Sequence, residues 1–130
     1  MNRNASRPLS PHLSIWRWGP HMLVSILHRI TGSGLATVGA LAFVWWLGAA
    51  ASGRDAYDAF LDHADNWYMV VIWVGLTWAF FQHSATGLRH FVLDMGAGYE
   101  LKTNRFWANM TVAASIVLTG LTWLYLLGVK

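Results

Sequence analysis

The chain has 130 residues, 55% hydrophobic and only 12% charged, with nine Trp and a formal net charge of +3. A soluble domain carries about a quarter charged residues, so this composition excludes a free-standing soluble globule. The absence of cysteine removes disulfides, thiolate metal sites, iron–sulfur ligation and cysteine nucleophiles from the chain, and its scattered basic residues build no face for nucleic acid.

In chain order, a polar arm with Arg3, Arg7 and Arg17 leads to three windows that lack Asp, Glu, Lys and Arg: residues 30–53, 66–88 and 106–129. Each exceeds the roughly 20 residues that cross a bilayer as a helix. Continuous apolar runs without alternation indicate helices rather than barrel strands. The expected architecture is therefore an all-α membrane protein, a single domain over residues 1–130, with spans at about 22–51, 66–93 and 106–129. Ala49, Ala50 and Ala51 resemble a signal cleavage site, but the apolar stretch is too long and the preceding arm too polar, so the first helix is expected to be retained.

Between the spans, residues 53–65 read as a first loop containing Arg54, Asp55, Asp58, Asp62 and Asp65. Residues 94–105 read as a second, punctuated by Gly96 and Gly98. Trp16, Trp18, Trp67, Tyr68, Phe106, Trp107, Trp123 and Tyr125 fall near helix ends, where amphipathic rings suit the headgroup layer. No internal repeat is visible. Seven basic residues (Arg3, Arg7, Arg17, Arg29, Arg89, Lys102 and Arg105) flank one side and two (Arg54 and Lys130) the other, which predicts a cytoplasmic N-terminus and an external C-terminus.

Polar groups inside apolar helices are the informative ones. His21, Ser25, His28, Arg29 and Gly32 recur at helical spacing at the start of the first span. Arg29 either snorkels to phosphates or belongs to a site. His83 stands about 9 Å of helix rise before Arg89, too deep for headgroup solvation, with Gly87 and His90 on the same face. It needs a hydrogen-bond partner, an aqueous cavity or a metal; the plainer alternative is a packing bond to another helix with Gly87 as a notch. Because the second helix runs inward, His83 and Arg89 approach the level of Ser25–Arg29. Gly32, Ala36 and Ala40 form a small-residue stripe for close helix contact.

Two motifs resemble a known family. Arg7-Pro8-Leu9-Ser10-Pro11-His12-Leu13 followed by Ser25-Ile26-Leu27-His28-Arg29-Ile30-Thr31-Gly32, and then His83-Ser84-Ala85-Thr86-Gly87-Leu88-Arg89-His90-Phe91-Val92-Leu93-Asp94, are similar to the two signatures of the cytochrome b subunit of succinate dehydrogenase. Trp16 stands where that family more often has Tyr, a conservative change. The resemblance implies that His83 is an axial ligand of haem b, that Ser25 and Arg29 line a ubiquinone pocket, and that His28 neighbours the haem propionates, with Gly87 and His90 beside the cofactor.

The resemblance also implies a bundle completed by a second small membrane anchor that supplies the other haem ligand, with an iron–sulfur subunit and a flavoprotein subunit as further partners. A cysteine-free chain with no soluble domain cannot hold the centres that oxidise succinate; it can supply an anchor, a quinone pocket and an imidazole. The absence of a Ser/Arg-rich transit segment favours a bacterial inner membrane. A fumarate reductase anchor and a small proton-coupled transporter using His83 as a relay stand as alternatives.

Overall fold

The computed structural model describes residues 12, 14, 15 and 17–129; Arg3, Arg7, the 7–11 part of the first motif, Leu13, Trp16 and Lys130 lie outside these. All regular elements among the described residues are helical: α1 (Pro20–Gly34), a π turn (Leu35–Gly39), α2 (Ala40–Ser52), α3 (Arg54–Ala64), α4 (Trp67–Asp94) and α5 (Leu101–Gly128). Pro20 opens α1, where its missing N–H and fixed φ suit the first turn.

α1, the π turn and α2 run on without a break. The π turn inserts an extra residue and rotates the register, so the expected stripe of Gly32, Ala36 and Ala40 does not form. Ala36 and Ala40 are exposed, and it is Gly39 whose Cβ position lies 3.6 Å from Leu76 of α4.

The first loop is also corrected. Gly53 turns the chain with φ +105, and residues 54–64 then form an amphipathic helix. Tyr57, Phe60 and Ala64 share its inner side, and Phe60, only 7% exposed, packs edge-on against Trp45 at 4.7 Å. Ala64 closes the helix by accepting a 3.1 Å hydrogen bond from Trp73 Nε1 of α4. Acid-rich composition suggested a solvated loop, but the aspartates occupy only the outer face.

At the opposite end, Gly96 (φ +81) follows α4. Its N–H donates to Leu93 O at 2.8 Å and that of Ala97 to Val92 O at 3.2 Å, the paired bonds of a Schellman stop. α5 begins at Leu101, earlier than the expected 106.

Two helical stretches, Pro20–Ser52 and Leu101–Gly128, are long and apolar enough to cross a membrane by length and composition, rather than the three expected. α4 equals α5 in length at 28 residues, but Gln82, His83, Ser84 and Thr86 interrupt its apolar run. α4 lies at the centre, antiparallel to both α1 and α5 and in contact with each.

Packing is inverted relative to a water-soluble core. Thr31, Gln82, Thr86, Thr111, Ser115 and Thr119 are buried, whereas Leu41 is 72% and Leu124 70% exposed. Short hydroxyl side chains let helices approach closely and bond to their own preceding carbonyls, as Thr86 does to Gln82 O and Thr119 to Ser115 O, both at 2.7 Å.

Candidate functional site

The antiparallel crossing of α1 and α4 places their histidines together. The rings of His28 and His83 stack with centroids 3.9 Å apart and planes 8° from parallel, and His90 tilts toward His28 at 5.0 Å. Three of the expected cofactor residues thus converge. Their approach depends on a missing side chain, because a Cβ at Gly32 would lie 2.8 Å from His83 Cε1. Gly87 faces His28, with its Cβ position 3.7 Å from that ring's Cε1.

The bonds at each ring define its chemistry. His83 Nδ1 lies 3.1 Å from His28 O, and a carbonyl can only accept, so Nδ1 carries the proton and donates. Thr31 Oγ1 also lies 3.3 Å from that nitrogen. His28 Nδ1 lies 2.8 Å from Thr86 Oγ1. Among the described residues neither Nε2 has a hydrogen-bond partner, which leaves an imidazole lone pair on each ring. A histidine whose Nδ1–H is held by a carbonyl while Nε2 stays free has the arrangement of a metal-ligating histidine. No group of three or more His, Cys, Asp or Glu able to hold a bare metal ion occurs among the described residues. That donor set fits an iron whose other ligands come from a macrocycle, and not a protein-only metal cage.

Ser25 and Arg29 sit one turn apart on α1, Ser25 half-buried and Arg29 exposed. Neither side chain bonds to the histidine cluster or to any other described residue. They share the end of the bundle formed by the start of α1, the end of α4 and the start of α5. On a separate side, a groove of about 430 Å³ between α4 and α5 is lined by Leu88, Arg89, Val92, Trp107, Met110 and Ala114, with Arg89 hydrogen-bonded to Asn104. It contains none of the residues expected to bind cofactor or quinone.

Sequence reasoning missed the polar residues that support the site. Thr31 and Thr86 contact the rings, and Gln82 takes a 2.7 Å hydrogen bond from Ser115 of α5. A signal was available: Thr31 and Thr86 each stand three residues after a histidine, and Gln82 directly precedes one.

Comparison with known proteins places the chain in a family. Residues 3–122 match the succinate dehydrogenase/fumarate reductase transmembrane subunit family. The succinate dehydrogenase cytochrome b556 subunit of Paracoccus denitrificans is 36% identical over 90% of this chain and 89% of its own length. That of Rickettsia felis is 35% identical over 90% of each chain. The cytochrome b560 subunit of Reclinomonas americana is 30% identical over 95% of this chain and 89% of its own. The chain belongs to the succinate dehydrogenase/fumarate reductase transmembrane subunit family.

Proposed function

We propose that this subunit binds haem b through His83 Nε2 and helps to form the site where ubiquinone is reduced with electrons from succinate. The observation that carries the haem reading is the His83 Nδ1–H bond to the His28 carbonyl, which orients the ring and leaves Nε2 as the donor. When bound, haem b supplies a one-electron relay beside the quinone. Gly32 leaves room for the ligand ring, His28 stacks on that ring and His90 tilts toward His28, so both would meet the cofactor's edge. With His83 as the donor from this chain, a further donor would come from the second membrane anchor.

Quinone reduction needs a donor aimed where negative charge develops on a carbonyl oxygen. Ser25 supplies a hydroxyl and Arg29 a permanently charged planar fork, one turn apart on one helix. Neither side chain has a hydrogen-bond partner among the described residues, and in this reading partner subunits complete the pocket. The iron–sulfur and flavoprotein subunits deliver electrons from the cytoplasmic side, the end that holds Arg29, Arg89, Lys102 and Arg105. In this reading α4 is the second of three spans of a multi-pass bacterial inner-membrane protein, its polar centre covered by α1 and α5 and by the second anchor.

Relatives named for succinate dehydrogenase favour succinate oxidation over fumarate reduction, and family membership does not favour a proton-coupled transporter. The test is an optical spectrum of the purified complex before and after dithionite. A low-spin b-type band is expected, and His83→Ala abolishes it or converts it to high spin. A complex without a Soret band, or a His83→Ala complex with an unchanged one, overturns the haem assignment.

A further inference from the structure

Residues 28–32 read His-Arg-Ile-Thr-Gly and residues 83–87 read His-Ser-Ala-Thr-Gly. Each of two antiparallel helices thus carries His-x-x-Thr-Gly, and the two copies meet as mates. The histidine of each stacks on the histidine of the other. The threonine of each contacts the other's imidazole, Thr86 with His28 at 2.8 Å and Thr31 with His83 at 3.3 Å. The glycine of each faces the other's ring. The result is a local twofold arrangement between segments 55 residues apart.

The hydroxyl protons decide which way the threonine–histidine bonds run. Thr86 Oγ1 donates to Gln82 O at 2.7 Å and Thr31 Oγ1 to Leu27 O at 2.7 Å, each within its own helix. With those protons engaged, each threonine oxygen faces an imidazole as an acceptor, and each imidazole must present Nδ1–H.

We infer that Thr31 and Thr86 are positioning residues which, through the duplicated His-x-x-Thr-Gly motif, hold His83 and His28 as Nδ1–H tautomers with both Nε2 lone pairs turned out for a ligand. The identity of that ligand rests on the haem reading above; the tautomers do not. The two copies also differ in strength. His83 Nδ1–H keeps the His28 carbonyl at 3.1 Å when Thr31 is changed, whereas at His28 the Thr86 hydroxyl at 2.8 Å is the principal partner and the His83 carbonyl only a weaker one beside it.

The test uses the full chain in lipid nanodiscs without haem, labelled with ¹⁵N at its six histidines, with long-range ¹H–¹⁵N spectra reporting each ring nitrogen. In the wild type, His28 and His83 are expected to show a protonated Nδ1 and an unprotonated Nε2. Thr86→Val should release His28 into a mixture containing the Nε2–H form, Thr31→Val should leave His83 largely as Nδ1–H, and Thr86→Ser should restore the wild-type pattern. An Nε2–H form of His28 in the wild type overturns the inference, as does a His28 pattern that ignores Thr86→Val. If Thr86→Val fails to insert, the wild-type tautomers decide alone. No haem is added, so a haem-free complex would sink the cofactor reading and leave this result standing.

Discussion

Gln82 of α4 and Ser115 of α5 share a 2.7 Å hydrogen bond, and neither side chain reaches the surface. The Gln82 Nε2 group has no hydrogen-bond partner among the described residues. The two ends of this contact should therefore respond unequally. Ser115→Ala strips the amide of its one side-chain partner among the described residues and should cost about 1–2 kcal/mol. Gln82→Met keeps the volume and removes the orphaned N–H, so it should cost less than Ser115→Ala. Unfolding of the purified subunit in mixed micelles, titrated with SDS, measures both; equal losses would contradict the asymmetry.

Glycine substitutions separate space for the imidazole from helix propensity. At Gly32 a methyl group would lie 2.8 Å from His83 Cε1, whereas nothing approaches within 4 Å at Gly75. Gly32→Ala should displace the His83 ring and cost roughly 1–3 kcal/mol through overpacking, with altered or lost haem absorbance. Gly75→Ala should leave the spectrum as it is. Haem content per complex and the reduced-minus-oxidised spectrum provide the comparison.

The quinone reading predicts a split between two activities. Arg29→Lys keeps the charge but loses the planar fork, and Ser25→Ala loses the hydroxyl. A lost charge-assisted hydrogen bond is worth roughly 1.5–3 kcal/mol, so quinone-linked kcat/KM should fall about 10- to 100-fold in Arg29→Lys. Succinate oxidation with a soluble dye acceptor should survive in both variants. Wild-type quinone kinetics in both would reduce Arg29 to a snorkelling anchor and move the pocket to the partner subunits.

Because the chain has no cysteine, topology can be read by single-cysteine labelling without a background. Asp58→Cys on α3 and Lys102→Cys at the start of α5 are both exposed positions. A membrane-impermeant maleimide should label the first from outside intact cells and the second only after lysis. The reverse pattern would invert the bundle and the cytoplasmic placement of Arg29 with it.

The sequence made the helical class and the approach of His83 to the level of Ser25–Arg29 legible, because charge-free runs and deep histidines are local, expensive features. It failed where the cause was non-local. The α3 helix was hidden because its aspartates dominate the composition, while Phe60 and His63 face Trp45 and Tyr57 stacks on Phe60. The small-residue stripe failed because nothing in Leu35–Gly39 announces a π turn. Thr31 and Thr86 were passed over as ordinary span residues; their role exists only once two helices lie side by side. The repeated pentapeptide escaped notice because its copies differ at two of five positions and matter through their pairing.

Neither histidine takes its proton arrangement from its own helix. His28 depends on Thr86 and the His83 carbonyl of α4, and His83 on Thr31 and the His28 carbonyl of α1. A nascent chain with only its first helix inserted therefore has an imidazole but no oriented donor. The donor comes into being when α4 arrives beside α1, after the intervening segment has folded back. Order of assembly is thereby written into the hydrogen bonds: helix pairing must precede capture of any ligand at Nε2, and a half-inserted chain is disqualified from premature capture by its own geometry.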